Sequence, residues 1–367
     1  MRRASSTASA LLWLASAHVL LLAGCAGKSA APEGFSVQVT PPPASAEDLP
    51  CLAGEGVNSR YTGNVSGLGI SDDQIVITSD QVLRVPLEGG DPIPLATPES
   101  PYGLLLLGGR AYFEATHPDG AAVGGKQPSS QTLDSVSLAG GDSSTALGDD
   151  LAPGPLDSAS ADTDSLYFPA RSSSSAITRF TPPSAHDDLA LSGPGLLVDA
   201  IGAYGSYVYV AAQDLSNEGF SNGLIVRVPK NGGDMQRLIT NIGHPWNLVA
   251  AASGIYWIED PQGFSGGTQL RHAGLDGSQI TNLLAMNSDA PSPSSLAIGG
   301  AQIYFAAGDT VASIPIAGGA VTTITSGQNT PGMLTAAGQN VAWLAPASKA
   351  LSDPTVPQVF TACAAQH

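Results

Sequence analysis

Two segments, GFSNG at Gly219 to Gly223 and GFSGG at Gly263 to Gly267, satisfy the Gly-x-Ser-x-Gly spacing of a nucleophilic serine. That spacing does chemistry when a strand precedes the serine and a helix follows, so that a sharp turn lifts the hydroxyl above a sheet. Here strand-like residues follow both copies, and the copies hold equivalent places in neighbouring repeats, so we read them as hairpin loops. GAAVGGKQ, Gly120 to Gln127, comes close to a phosphate loop, but Gln127 stands where a magnesium-binding Ser or Thr belongs and no helical pattern follows. Asp149, Asp150, Asp157, Asp162 and Asp164 are dense enough to invite calcium, yet they lack the ligand and glycine spacing of a calcium loop and read as a solvated acidic loop. His117, His186, His244 and His272 show neither an i, i+4 pair nor an HExxH pattern. We therefore assign no catalytic residue, no metal ligand and no cofactor, and any shared site has to be assembled by the fold.

The elements that would assemble it are legible as repeats. The chain has 367 residues with 43 Gly, 28 Pro and only 12% charged residues, a composition of short strands and turns rather than long helices. One phrase occurs three times: VLRVPLEGGDPIPL from Val82, IVRVPKNGGDMQRL from Ile225 and VASIPIAGGAVTTI from Val311. Short apolar strands, most with an aromatic residue, are centred on residues 76, 112, 167, 209, 256, 304 and 342. Their spacing averages about 44 residues, the period of a four-stranded propeller blade. Each unit reads as an inner strand, the aromatic strand, a variable loop, a third strand ending near Pro86, Pro229 or Pro315, a Gly-Gly turn and a last strand. The pattern predicts an all-β, seven-bladed β-propeller of four-stranded antiparallel blades over residues 51–367. Six blades is the alternative, because the third unit is degenerate and carries Pro182-Pro183 in place of Gly-Gly. The seventh unit ends at PQVFTAC, Pro357 to Cys363, without a fourth strand, and residues around Val57 to Tyr61 are expected to supply it.

In such a blade the second-to-third loops and the connections between blades share one face. That face carries the long loops and the candidate ligand-binding residues: Tyr102, His244, Trp246 and Asn247 at the start of inner strands, with Glu114, His117, Glu259 and Asp260 at the ends of aromatic strands. Trp257 and Trp343 are expected between blades, as core.

Arg2 and Arg3 precede an apolar run, Ala10 to Gly24, with the form of a secretory signal over residues 1–24. The run ends in LAGC, Leu22 to Cys25, which resembles the lipobox of bacterial lipoproteins. That resemblance implies acylation of Cys25 and cleavage before it; an ordinary secretory peptide with a chance cysteine is the alternative. Residues 25–50 are rich in Pro, Ala and Ser and read as a tether. Cys51 and Cys363 remain, one at each end of the folded region, and in an exported chain we expect them to pair, two separate thiols being the alternative. The net charge of −17 argues against nucleic-acid partners and against docking on anionic lipid through a basic patch.

The blade pattern resembles that of secreted bacterial propellers related to YWTD and NHL-type repeats, known as lipoproteins of the myxobacterial kind. The resemblance implies a protein of the bacterial cell envelope, held by its lipid anchor at the outer membrane, periplasmic or surface-exposed. On this reading the chain is a binding or scaffold module that holds a protein, peptide or glycan on its loop-rich face. The alternative is a propeller enzyme, a lyase or lactone-type hydrolase resembling the virginiamycin-lyase and gluconolactonase groups, with His117, His244 and Glu259 converging on the channel mouth.

Overall fold

The computed structural model describes residues 51–53, 56–71, 73–118, 129–148, 156–170, 176–191, 195–216, 222–261, 267–286, 292–346 and 357–363, all within the compact unit Phe35–His367. The signal, Cys25 and the tether lie outside the described residues, as do most of both Gly-x-Ser-x-Gly loops, the stretch 120–127, and Asp149 and Asp150. Among the described residues no helix is long and apolar enough to cross a membrane.

The described strands form seven four-stranded antiparallel sheets. Blade 1 consists of Gly67–Ser71, Gln74–Thr78, Val82–Pro86 and Ile93–Ala96, and blade 2 of Tyr102–Leu107, Arg110–Pro118, Ser129–Ser137 and Ser144–Leu147. Blade 3 is built from Ser160–Ala161, Leu166–Pro169, Ala176–Thr181 and Ala185–Ala190. Blade 4 follows with Leu196–Tyr204, Tyr207–Asp214, Gly223–Pro229 and Gln236–Ile242. Blade 5 contains His244–Ala251, Gly254–Asp260, Gln269–Ala273 and Thr281–Ala285; blade 6 contains Pro293–Gly299, Gln302–Ala307, Thr310–Pro315 and Thr322–Thr325. Blade 7 takes Gly332–Ala337, Asn340–Pro346 and Pro357–Cys363 from the end of the chain and its outer strand, Asn58–Thr62, from the beginning. The degenerate third unit is thus a full blade, and the count is seven.

Side chains alternate along each strand, so every blade shows one apolar side to the blade before it and one to the blade after. Tyr256, Ile258 and Val249 pack on Leu296, Ile303 and Phe305 of blade 6, while their neighbours Trp257, Ile255 and Leu248 pack on Tyr209, Ile225 and Ile239 of blade 4. Seven such clusters fill the seven seams. Trp257 and Trp343 are fully buried in two of them, as expected of core. Each buried side chain of this size contributes on the order of 2 kcal/mol.

The repeated phrase has two structural roles. The first is a turn, though not the two-residue hairpin that Gly-Gly suggests. The N–H of Gly89 donates to the carbonyl of Pro86 (3.0 Å), and Gly232 and Gly318 do the same to Pro229 and Pro315. Residues such as Leu87 and Glu88 therefore make the turn, and the glycine pair, with φ of +104° and +136° at Gly89 and Gly90, leads the chain out of it. The second role belongs to the arginine. Arg84 Nη1 donates to the Leu138 carbonyl of blade 2 (3.2 Å) and Arg227 Nη1 to the Leu275 carbonyl of blade 5 (3.1 Å). Arg179, in the corresponding strand of blade 3, donates to the Lys230 carbonyl of blade 4. Each arginine ties its blade to the backbone of the next.

The ring closes where the two ends of the chain meet. Asn58–Thr62 pairs with Pro357–Cys363, and Cys51 is bonded to Cys363, 312 residues away. Asn340, fully buried, accepts the N–H groups of Leu52 (2.9 Å) and Ala53 (3.0 Å) on its side-chain oxygen, while Arg60 Nε donates to Thr361 Oγ1 (2.9 Å).

Candidate functional site

The inner strands carry bulges at the loop-rich end, and these determine where the candidate residues point. In blades 2, 5 and 7, two inner residues oppose one aromatic residue: Gly103-Leu104 opposite Phe113, Asn247-Leu248 opposite Trp257, and Met333-Leu334 opposite Trp343. The first residue of each pair is left-handed, with φ of +59°, +50° and +43°. Gly103 has no substitute here, because a Cβ would lie 2.8 Å from that of Leu156. The Pro-x-x-Leu lead-ins, Pro101 to Leu104, Pro245 to Leu248, Pro293 to Leu296 and Pro331 to Leu334, are a repeat signal that marks this bulged end.

Several candidates hold the scaffold together. Glu114 is buried, lies across from Tyr102 in the ladder, and accepts the Leu156 N–H (3.1 Å), pinning the connection into blade 3. Glu259 is also buried and accepts Trp257 Nε1 (2.9 Å), the Gly243 N–H (3.4 Å) and Arg271 Nη1 (3.2 Å). The Asn247 amide donates to the Ser294 carbonyl of blade 6 (3.1 Å). Asp260 is buried directly across from His244. Glu114 and Glu259 are therefore parts of the wall: each accepts a backbone N–H group, and Glu259 also holds Arg271.

Two histidines do face solvent beside a carboxylate. On blade 2, His117 Nε2 lies 3.1 Å from Asp134 Oδ2; the His117 side chain is 40% exposed and Asp134 is buried, with Thr132 Oγ1 donating to its other oxygen (2.8 Å). Between blades 4 and 5, His244 Nε2 lies 2.9 Å from Gln213 Nε2 and 3.3 Å from Asp199 Oδ1. The Gln213 amide donates to both Asp199 oxygens (3.3 and 3.2 Å), and the Trp246 ring, half-buried, is centred 5.5 Å from that of His244. The structure thus brings His244 and Trp246 together and adds Asp199 and Gln213, which sequence reasoning missed. Among the described residues no hydrogen bond joins His117, His244 and Glu259, and each has its own partners. No group of three or more His, Cys, Asp or Glu suited to a metal occurs among the described residues.

One acidic residue behaves differently from its expected solvated loop. Asp162 is largely buried, and its Oδ2 lies 2.5 Å from Lys230 Nζ of the next blade and accepts the Tyr167 hydroxyl (2.9 Å). It belongs to the first turn of blade 3, which the packing of blade 4 covers.

No family model matches the chain, and no curated protein does. Among solved structures it is similar to a catalytically inactive virginiamycin B lyase from Staphylococcus aureus with quinupristin, at 13% identity and a TM-score of 0.54, covering 83% of this chain and 98% of that one. A streptogramin B lyase is similar at 13% identity and a TM-score of 0.55, with 83% and 96% covered. The computationally designed Ika8 protein is similar at 13% identity and a TM-score of 0.50, with 84% and 99% covered. At such identity the likeness shows the propeller fold alone.

Proposed function

We propose that this chain is an exported, lipid-anchored propeller that holds a protein, peptide or glycan partner against its loop-rich face. Export is supported by the signal-like residues 1–24 and by the Cys51–Cys363 disulfide, a bond that persists in oxidising compartments. The anchor is Cys25, and residues 25–50 hold the ring off an outer-membrane leaflet. The observation that carries the binding reading is the division of labour among the polar residues of that face. Glu114, Glu259 and Asn247 are spent on the scaffold, whereas His117, His244, Trp246, Gln213 and Asp199 stand partly open at the strand ends.

The test is site-specific photo-crosslinking in the cells that make the protein, with a benzoyl-phenylalanine at Leu215 on the loop-rich face or at Glu88 on the opposite one. The binding reading requires one partner captured from position 215 and not from position 88; capture confined to position 88 would end it. Labelling with an alkyne fatty acid that vanishes in Cys25→Ala checks the anchor. Turnover of quinupristin by the purified chain would favour a lyase instead.

A further inference from the structure

The first hairpin of blade 4 reaches further toward the loop-rich face than that of blade 5. Pairing in blade 5 stops at His244 with Asp260, four residues past Tyr256, whereas blade 4 continues to Leu196 with Asp214, five past Tyr209, and then through the Leu215 N–H to the Gly195 carbonyl (2.7 Å). The overhang leaves Leu197 and Leu215 exposed at 41% and 57%. Leu197 pairs with Gln213, and Leu215 lies two residues on, so all three share one side of the sheet. A bulge between Val198 and Ala200 takes Asp199 out of the ladder and aims its carboxylate at Gln213 on that same side, facing His244 of blade 5.

The result is a step between two blades with an apolar tread, an acceptor and flat rings. Asp199 is 15% exposed and has no Lys or Arg partner among the described residues; the neighbouring Asp214 is held by Arg237 (3.1 Å). Among the described residues the Gln213 amide and the His244 imidazole are the side chains in contact with its carboxylate, with the indole of Trp246 beyond. A largely buried carboxylate, on a chain of net charge −17, attracts cations at long range and repels anions. A planar cation suits a carboxylate beside flat rings better than an ammonium does, because a guanidinium binds two oxygens at once and stacks on aromatic faces.

We propose that this step, formed by Asp199, Gln213, His244 and Trp246 with Leu197 and Leu215, binds an arginine side chain flanked by apolar residues on a peptide or protein partner. The proposal rests on the loop-rich face being the binding face and names the chemistry it takes. The test is titration of the full-length chain with the peptide acetyl-Leu-Arg-Leu-amide, with its citrulline analogue, and with a chito-oligosaccharide. The arginine peptide binds, the neutral isostere binds at least tenfold more weakly, and Asp199→Asn, which keeps shape and removes charge, loses a similar factor at unchanged melting temperature. Binding also weakens as salt is raised. Equal affinity for the two peptides, no effect of Asp199→Asn, no binding at millimolar peptide, or binding of the sugar instead overturns the arginine site. If crosslinking from position 215 persists while any of these holds, the face remains the binding face and only the arginine chemistry is lost.

Discussion

Lys230 Nζ lies 2.5 Å from Asp162 Oδ2, with side chains only 14% and 13% exposed. Burial alone would raise the Asp162 pKa, but Lys230 and the N–H groups of Asp164 and Ser165 outweigh it, so the carboxyl titrates below its ordinary range. The Tyr167 hydroxyl, buried and donating to the same carboxylate, is pushed well above the usual phenol range. A folded-state pKa held below the unfolded value of ~3.9 adds stability that is complete above that value and disappears as pH falls through the folded one. Asp162→Asn is therefore expected to cost about 2 kcal/mol at neutral pH, between the ranges for exposed and fully buried pairs. The penalty shrinks as pH drops below about 4. Urea midpoints of both proteins across that interval check this, and a penalty independent of pH would remove the ion pair from the explanation.

At the scale of strands and turns, the arginine in the third strand is what makes the repeated phrase more than a hairpin. Arg227 donates Nη1 to the Leu275 carbonyl (3.1 Å) and Nε to Gln236 (2.9 Å), and its Cζ lies 4.3 Å from the centre of the Tyr207 ring. Arg227→Met keeps most of the apolar stem and loses the charged bond, for an expected loss of about 2 kcal/mol. Arg84→Met costs less, because Arg84 Nε is buried with no partner among the described residues and its removal relieves that burden. The two substitutions act on different seams and should add; thermal melts of the single and double variants read this out, and a larger penalty at Arg84 would contradict it. These roles also mark what a sequence shows. The aromatic strands, the presence of a turn after the third strand and the missing outer strand of blade 7 were legible because they recur or because a sheet edge demands a partner, whereas the glycine pair was read as the turn itself and proves to be its exit. The target of Arg84 was not, since any backbone carbonyl looks alike in a sequence. Asp199 was missed for another reason: its bulge is matched in blade 6 between Pro293 and Ser295, but blade 4 has Val198 where the Pro-x-x-Leu lead-ins have proline, so the sequence does not line it up with them. Asp162 misled because its solvent is displaced by a blade nearly 70 residues further on, as the Lys230 contact shows.

For the whole molecule, stability has the form of a ring of like seams. Six blade-to-blade steps are carried by the continuous chain, and the seventh depends on Asn58–Thr62 finding Pro357–Cys363. Opening that seam turns the ring into an open row of blades and exposes the cluster in which Leu68, Ile70 and Ile75 meet Ala337, Ala342 and Val359. Two devices hold it: the Cys51–Cys363 bond and the Asn340 side chain, which takes the N–H groups of Leu52 and Ala53. They act differently. The disulfide restrains the unfolded chain across a separation of 312 residues, which by loop-closure entropy is worth about 5 kcal/mol. Asn340 acts in the folded state, and Asn340→Ala leaves two donors short of an acceptor, for about 1–3 kcal/mol. Paired Cys51→Ser and Cys363→Ser substitutions should therefore lower the urea midpoint far more than Asn340→Ala does. Hydrogen exchange of the disulfide-free protein should show Asn58–Thr62 losing protection before any other strand, because it alone in blade 7 comes from the far end of the chain. Uniform exchange across all seven blades after loss of the bond would mean that the seam is no weaker than its six neighbours, and that closure is secured by packing alone.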